Sequence, residues 1–261
     1  MPVVDDAHHH WWKFDFHNHT PASSDFDPAE IDSLTPREWL LAYMQAGVDC
    51  VAVTDHNCAG WIGKVQSALH KLTSETPPGY RPLTLFPGME ISTPEPLHIL
   101  ALFAPGTNQS LLDELIHQSL TLVDPDMPSA DREVREPASR VIDVIHAHGG
   151  LAIAAHVEQD NGLLQGTQDG KRFQTRFSET LIGEILPRVD AVEFQDFDSD
   201  CYRALAIRLA HMAKVSGSDW PHNRANAGVR SSWIRMEHCN LAHLRRALQQ
   251  PGEAVRRSAP A

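Results

Sequence analysis

Two histidines one residue apart, His17 and His19 in the stretch WWKFDFHNHT, are spaced to act as a pair of metal ligands. Phe14 to His19 alternates apolar and polar residues, and in a strand such a pair projects from one side, about 6–7 Å apart along the chain. Neutral imidazole suits zinc, iron and related ions. An H-x-H pair alone equally fits two solvent-facing histidines on an edge strand. Other ligand-type residues repeat the pattern, however: Asp55 and His56, Glu90, His156, and Asp219 with His222 all stand at the ends of strand-like runs. In parallel α/β sheets and barrels the C-terminal strand ends converge on one site, so residues distant in sequence meet there.

The elements that would position these residues follow in order. Thr35, Pro36 and Glu38 read as a helix start, Trp39, Leu40, Tyr43 and Met44 as its apolar face, and Gly47 as its stop. DCVAVTDHN is a buried strand with polar chemistry only at its end. A helix over Trp61 to Leu72, strands over Leu83 to Ile91 and His98 to Phe103, and a helix through Leu111 to Leu120 come next. Asp124 to Pro137 reads as an exposed excursion. A helix face from Val141 to Ile145 then precedes a short strand, Leu151 to Ala155, with His156 at its end. The polar segment between Val157 and Arg176 is expected to be a lid or substrate loop, with Lys171, Arg172 and Arg176 as anion contacts, or equally a solvated loop. A strand at Asp190 to Gln195, a helix at Leu205 to Met212, a strand at Ser231 to Met236 and a helix at Leu241 to Leu248 complete the pattern. Residues 1–10 are expected to be a flexible arm, 11–250 one domain and 251–261 a frayed tail.

Composition narrows the function classes. The chain has 261 residues, 42% hydrophobic and 21% charged, enough for a sizeable core. With 22 Lys+Arg against 34 Asp+Glu its formal net charge is −12, which opposes nonspecific duplex binding through phosphate neutralisation. A small anionic substrate at a metal site is compatible with that charge, because bound cations invert the local field. The four cysteines form no C-x-x-C pair and read as reduced thiols. No apolar run reaches the roughly 18 residues of a membrane span, and no basic-then-apolar leader opens the chain. The expectation is a cytoplasmic protein that does not contact membranes.

HNHT, TDHN, GME, AHV and GSDWPH, in this order from about Trp11 to Leu248, resemble the successive motifs of the PHP (polymerase and histidinol phosphatase) superfamily. WWKFDFHNHTPASSD, TPREWLLAYMQAGVDCVAVTDHN and RPLTLFPGMEIS further resemble PHP domains that precede large AAA-like or SMC-like ATPases. No G-x-x-x-x-G-K-[ST] phosphate loop occurs here, so that resemblance implies a stand-alone relative or the PHP part of a protein with an ATPase domain or partner.

The resemblance implies a distorted (β/α)7, TIM-like barrel with up to three divalent metals, manganese, zinc or iron, hydrolysing phosphoesters through a metal-bridging hydroxide. By the same resemblance His17, His19, Glu90 and Asp219 hold one metal, and Glu90 bridges to a second held by His98 and His156. Asp25, His56 and His222 hold the third. Asp25 replaces the family's usual histidine, and a carboxylate there favours a harder ion such as manganese. Asp219 and His222 enclose two residues where the family has one. Glu90 and Asp55 are the expected catalytic carboxylates, Asp55 by orienting a ligand histidine unless it caps the following helix. The implied substrates are a nucleotide, a single-stranded nucleic-acid end or a small phosphate monoester. Two alternatives are a noncatalytic regulatory PHP module and an amidohydrolase-like hydrolase. The latter family wants a histidine on its sixth strand, where AVEFQD offers none.

Overall fold

Alternate side chains from seven strands meet in one apolar cluster, which is the inside of a barrel. The computed structural model describes residues 9–169 and 172–260. Its strands are β1 (His10–Asp15), β2 (Cys50–Val53), β3 (Thr84–Ser92), β4 (His98–Leu102), β5 (Leu151–Ala154), β6 (Gly166–Asp169), β7 (Arg172–Thr175), β8 (Ala191–Glu193), β9 (Lys214–Val215), β10 (Ser232–Met236) and β11 (Val255–Arg256). Nine of them form one sheet in the order β11-β10-β1-β2-β3-β4-β5-β8-β9, and β6 and β7 form a separate hairpin. Phe14, Ala52, Phe86, Leu100, Ile153, Ala191 and Val215, one from each barrel strand, share the inner cluster. Their neighbours Val51, Leu85, Ile99, Ala152 and Val192 face the other way and pack against the helices.

Those helices are α1 (Pro36–Gln45), α2 (Ile62–Glu75), α3 (Gln109–Glu114), α4 (Ala138–Ala147), α5 (Glu179–Ile185), α6 (Asp200–Leu205), α7 (Leu241–Leu248) and α8 (Pro251–Ala254). The start of α1 is the capping box foreseen in Thr35 and Glu38, and Trp39, Leu40, Tyr43 and Met44 are buried. Among the described residues no helix is long and apolar enough to cross a membrane.

The ring closes where β1 changes partner. β10 pairs antiparallel with β1 as far as Phe14. Beyond that point the chain following β9 takes over, with Asp219 N donating to His17 O at 2.8 Å. Ser216 N donates to Ser232 Oγ at 2.9 Å, tying this segment to β10 as well. The result is the expected distorted (β/α)7 barrel, with β10 and β11 flanking β1 outside the ring. The distortion is β4, antiparallel to both β3 and β5 while the rest of the ring is parallel.

Several expected elements are corrected. β1 stops at Asp15, before His17, because Asn18 turns onto β2: Thr54 Oγ1 accepts from Asn18 N at 2.9 Å and donates to Asn18 O at 3.1 Å. The helix expected over Leu205 to Met212 is instead α6, which ends at Leu205, and Lys214 Nζ satisfies the carbonyls of Leu209 and Met212. Residues 251–256 of the expected frayed tail form α8 and β11, because Val255 and Arg256 pair with Ile234 and Trp233. The expected arm overlaps β1 at His10, while residues 1–8 lie outside the described residues. The lid segment contains the β6–β7 hairpin rather than an open loop.

Gly217 sits at the closure. A Cβ on it would lie 2.3 Å from His17 N and 2.5 Å from His17 Cβ, against backbone that cannot retreat without opening the ring. Gly217→Ala is therefore expected to cost about 2–4 kcal/mol, a drop of roughly 5–10 °C in Tm for a chain of this size. An unchanged melting curve would show that the closure is not tight.

Candidate metal centre

Each strand end delivers its ligand for a local reason. In HNH, Asn18 is the member that faces the helix layer: its side chain donates to Asp15 O and Ala52 O and accepts from Tyr43 Oη on α1 at 2.7 Å. That fixes the turn with His17 and His19 facing the other way. Glu90 lies within β3 past the end of β2, where it pairs with the TDHN turn: Glu90 N donates to Asp55 O and Asn57 N to Glu90 O. His98 comes from the head of β4, and the reversal of that strand sets its head beside the ends of its neighbours. His156 and Asp219, the residues that leave β5 and β9, have φ of +25° and +41°. Non-glycine residues rarely adopt that region, and such strain of about 1–3 kcal/mol is typical of functional positions.

The ligand atoms converge around Glu90. Its Oε2 is 3.1 Å from His17 Nε2, 3.4 Å from His19 Nε2 and 3.1 Å from His56 Nδ1. Its Oε1 is 2.8 Å from His98 Nδ1 and 3.1 Å from His156 Nε2. Asp219 Oδ1 lies 3.7 Å from His17 Nε2, 3.6 Å from His19 Nε2 and 3.3 Å from His222 Nε2. Asp25 Oδ2 lies 3.3 Å from His56 Nε2 and 3.5 Å from His222 Nδ1. Three groups have mutually close ligand atoms: His17, His19 and Asp219; His56, Glu90 and His98; and His19, Asp25, His56 and His222. The sequence-expected ligands are thus all brought together, including His222 despite its two-residue spacing from Asp219.

This donor set fits divalent cations. His17 Nδ1 faces Glu193 Oε2 at 2.8 Å, and because an ionised carboxylate only accepts, that nitrogen carries the proton. In neutral His17 the Nε2 lone pair then points at His19 Nε2, 3.1 Å away, and at the Glu90 carboxylate. Converging lone pairs repel unless a cation stands at their focus. His56 Nδ1, His156 Nδ1, His222 Nδ1 and Asp25 Oδ1 are also buried without hydrogen-bond partners.

Charge in the cluster follows from burial and neighbours. Burial alone would raise Glu90, but His17, His56 and His98 hold its carboxyl well below the usual range. Burial likewise opposes ionisation of Asp219, which His17, His19 and His222 nevertheless hold well below its ordinary value. Asp25 is lowered despite burial through His222 and His56. Among the imidazoles, burial works against protonation, yet Glu90 raises His156 to about 8, and Asp219 and Asp25 raise His222 to about 9. His17 is lifted well above normal by Glu90, Asp219 and Glu193 despite the same burial. His19 and His98 are lowered, chiefly by burial.

Buried polar groups behind the ligands hold the loops. Asp15 accepts from Ser218 N, Ser218 Oγ and Gly228 N, tying β1 to the residue before Asp219. Asp55 accepts from Thr20 N at 2.6 Å and Thr20 Oγ1 at 2.7 Å, tying β2 to the residue after His19. Burial raises both carboxyls to about 7. Both Asp55 oxygens serve Thr20, and among the described residues no hydrogen bond joins Asp55 directly to a ligand histidine. Glu193, at the end of β8, accepts from His17 Nδ1 and from His156 N at 3.0 Å. Ser23 Oγ contacts His19 Nδ1 at 3.0 Å and accepts from His56 N.

Of the expected anion contacts, Lys171 and the side chain of Arg172 lie outside the described residues. Arg176 donates to Gln165 Oε1 at 2.9 Å, lies over the Phe177 ring and is not part of the cavity wall. The cavity over the ligands, about 480 Å³, is also lined by Gln159, Asp160, Gln195, Trp220 and Arg230. No sequence motif marked Gln159, Asp160, Gln195 or Arg230.

Ligating imidazoles must be neutral, so metal uptake has to expel the protons that the carboxylates retain on His17, His156 and His222 at pH 7. Titration of the metal-free protein with manganese or zinc should release more than about one proton per chain, read calorimetrically as an enthalpy that varies with the ionisation enthalpy of the buffer. A buffer-independent enthalpy would contradict this account of the cluster.

No protein-family model matches the sequence, and no curated protein matches it. Solved structures do. The lesion-specific endonuclease Q from Pyrococcus furiosus superposes with a TM-score of 0.63 at 15% identity, over 92% of this chain and 56% of that one. An endonuclease Q in complex with a 27-mer duplex substrate with an abasic lesion at the active site gives 0.62 at 15% identity, over 92% and 57%. A two-domain protein from Bacteroides vulgatus, containing a predicted PHP-like metal-dependent phosphoesterase, gives 0.54 at 14% identity, over 96% and 66%. The chain therefore spans little more than half the length of the endonucleases. It shares the fold of these structures, one of which contains a predicted PHP-like metal-dependent phosphoesterase.

Proposed function

We propose that the protein belongs to the PHP superfamily and is a metal-dependent phosphoesterase, hydrolysing the phosphate ester of a nucleotide, a nucleic-acid end or a small monoester. The observation that carries this reading is the position of Glu90, whose two oxygens face two different groups of imidazoles. His17, His19, Asp219 and Glu90 would hold one cation, His98, His156 and Glu90 a second, and Asp25, His56 and His222 a third. Manganese, zinc or iron suits this mixed nitrogen and oxygen set. Such ions, when bound, supply Lewis-acid stabilisation of phosphate charge and a water deprotonated near neutral pH.

The chain's own residues do the rest. Glu193 fixes the protonated nitrogen of His17 and so the nitrogen it presents to the cation, a supporting role common behind metal-bound histidines. Asp15 and Asp55 hold the two loops that carry Asp219 and His19, which keeps the ligand spacing rigid. The likeness to endonuclease Q supports a nucleic-acid substrate, and the net charge of −12 favours a small nucleotide or strand end over extended duplex contact.

The test is phosphate release by metal-reconstituted protein from nucleoside monophosphates, nucleoside 3′,5′-bisphosphates, histidinol phosphate and end-labelled oligonucleotides, with chelated protein as control. Release that depends on metal and is confined to one class establishes the reading; none at all, with metal bound, makes the protein a noncatalytic metal module. Glu90→Gln is expected to lower turnover by more than about 100-fold with the fold retained, and Glu193→Gln by roughly 10- to 100-fold through weakened metal affinity. Wild-type turnover in Glu90→Gln would sink the assignment.

A further inference from the structure

Besides the ligand imidazoles, the described wall of the metal cavity carries an indole and a guanidinium, Trp220 and Arg230, both from the loop between β9 and β10. Trp220 is 65% exposed although it stands between two buried or nearly buried ligand residues, Asp219 and His222. Its ring meets that of His222 edge-on, at 5.1 Å and 66°, so the indole is braced from one side while most of its surface remains in solvent. Among the described residues Arg230 is the one lysine or arginine lining the cavity. Its Nη1 donates to Ser218 O at 3.2 Å and to Trp220 O at 3.3 Å. Those two bonds hold the guanidinium against the backbone of the tryptophan and leave its remaining donors without a recorded partner. Gln195, also in the wall, gives its Nε2 to Glu193 Oε1 at 2.8 Å, and its buried Oε1 has no hydrogen-bond partner.

We propose that Trp220 and Arg230 set the specificity of this site: Trp220 stacks on a planar ring carried by the phosphate ester, and Arg230 pairs with its phosphate. The inference rests on the phosphoesterase reading above and narrows it to esters bearing a nucleobase-like ring. A flat indole is a platform for any base, because every base has a π face, and an arginine fork matches phosphate oxygens geometrically. In a chain of net charge −12 an anion approaching the cavity is repelled at long range, and Arg230 is the fixed positive group at its mouth. The cavity volume, about 480 Å³, lies within the roughly 300–1,000 Å³ range of small-molecule sites.

Binding can be measured without turnover on the full chain saturated with manganese, using the non-hydrolysable phosphonate analogue of adenosine monophosphate and, as a ringless control, methylphosphonate. The wild type should bind the nucleotide analogue at least tenfold more tightly. Trp220→Leu should remove about tenfold of that affinity and leave methylphosphonate binding at its wild-type value, while Trp220→Phe restores most of the loss. Arg230→Gln should weaken both probes by a similar factor, about tenfold. Equal wild-type affinity for both probes, or an equal loss of both in Trp220→Leu at wild-type metal content, overturns the proposal. Should Trp220→Leu lose metal, Trp220→Phe and Arg230→Gln decide it, and failure of Arg230→Gln to weaken either probe counts against it. A 5′-phosphorylated oligonucleotide distinguishes a strand end from a free nucleotide by tighter or weaker binding than the monophosphate. Ring-selective binding without hydrolysis of any ester would sustain this inference while ending the phosphoesterase reading.

Discussion

A carboxylate removed from water stays ionised only if positive or proton-donating groups replace the solvent, and Glu90 is 1% exposed. Its replacements are imidazoles from four other places in the chain, His17, His56, His98 and His156. None of these is near another in sequence, so the barrel must close for Glu90 to be tolerated. Glu90 in turn is the acceptor these imidazole nitrogens share. Fold and site therefore depend on the same few contacts.

Two more buried carboxylates carry this dependence outward. Asp15 ends β1 and Asp55 lies two residues past the end of the adjacent β2, each hydrogen-bonded to the residue next to a ligand, Ser218 beside Asp219 and Thr20 beside His19. Burial raises both to about 7, so near neutrality they change charge at little cost, and either form keeps an acceptor for the loop amide. Asn57 extends the same logic on the far side. With φ at +48° it bonds Ser92, Ser129 and Arg132 and draws the excursion of residues 124–137 over the strand ends.

Much of this was legible in the sequence because ligands at strand ends interrupt apolar runs, and a barrel gives such interruptions one meeting point. His17, His56, Glu90, His156 and Asp219 were readable on that ground, as was the helix opening at Thr35 and Pro36. What was not legible depended on contacts without local signature. Asp55 reads as a group that orients a ligand histidine or caps the following helix, but its bonds to Thr20 follow from the pairing of β1 with β2. Glu193 looks spare in AVEFQD until β8 is seen beside β5. The segment between Val157 and Arg176 reads as a charged open loop, but its central hairpin uses backbone pairing that polar sequence does not advertise. Arg230 lies eight residues past the last motif and reaches the cavity through a loop whose path no periodicity encodes.

The reversal of β4 has an entropic consequence. β3 and β4 are neighbours joined by a short turn, so their pairing closes a small loop, whereas joining β9 to β1 brings together residues about 200 positions apart. Loop closure costs more as separation grows, so the β3–β4 pairing carries the smaller entropic cost. The hairpin of β3 and β4 carries Glu90 and His98, which touch at 2.8 Å. The carboxylate at the centre of the cluster thus has one imidazole within the most local strand pair in the ring, whereas Asp219 joins it only across the most distant closure, beside Gly217.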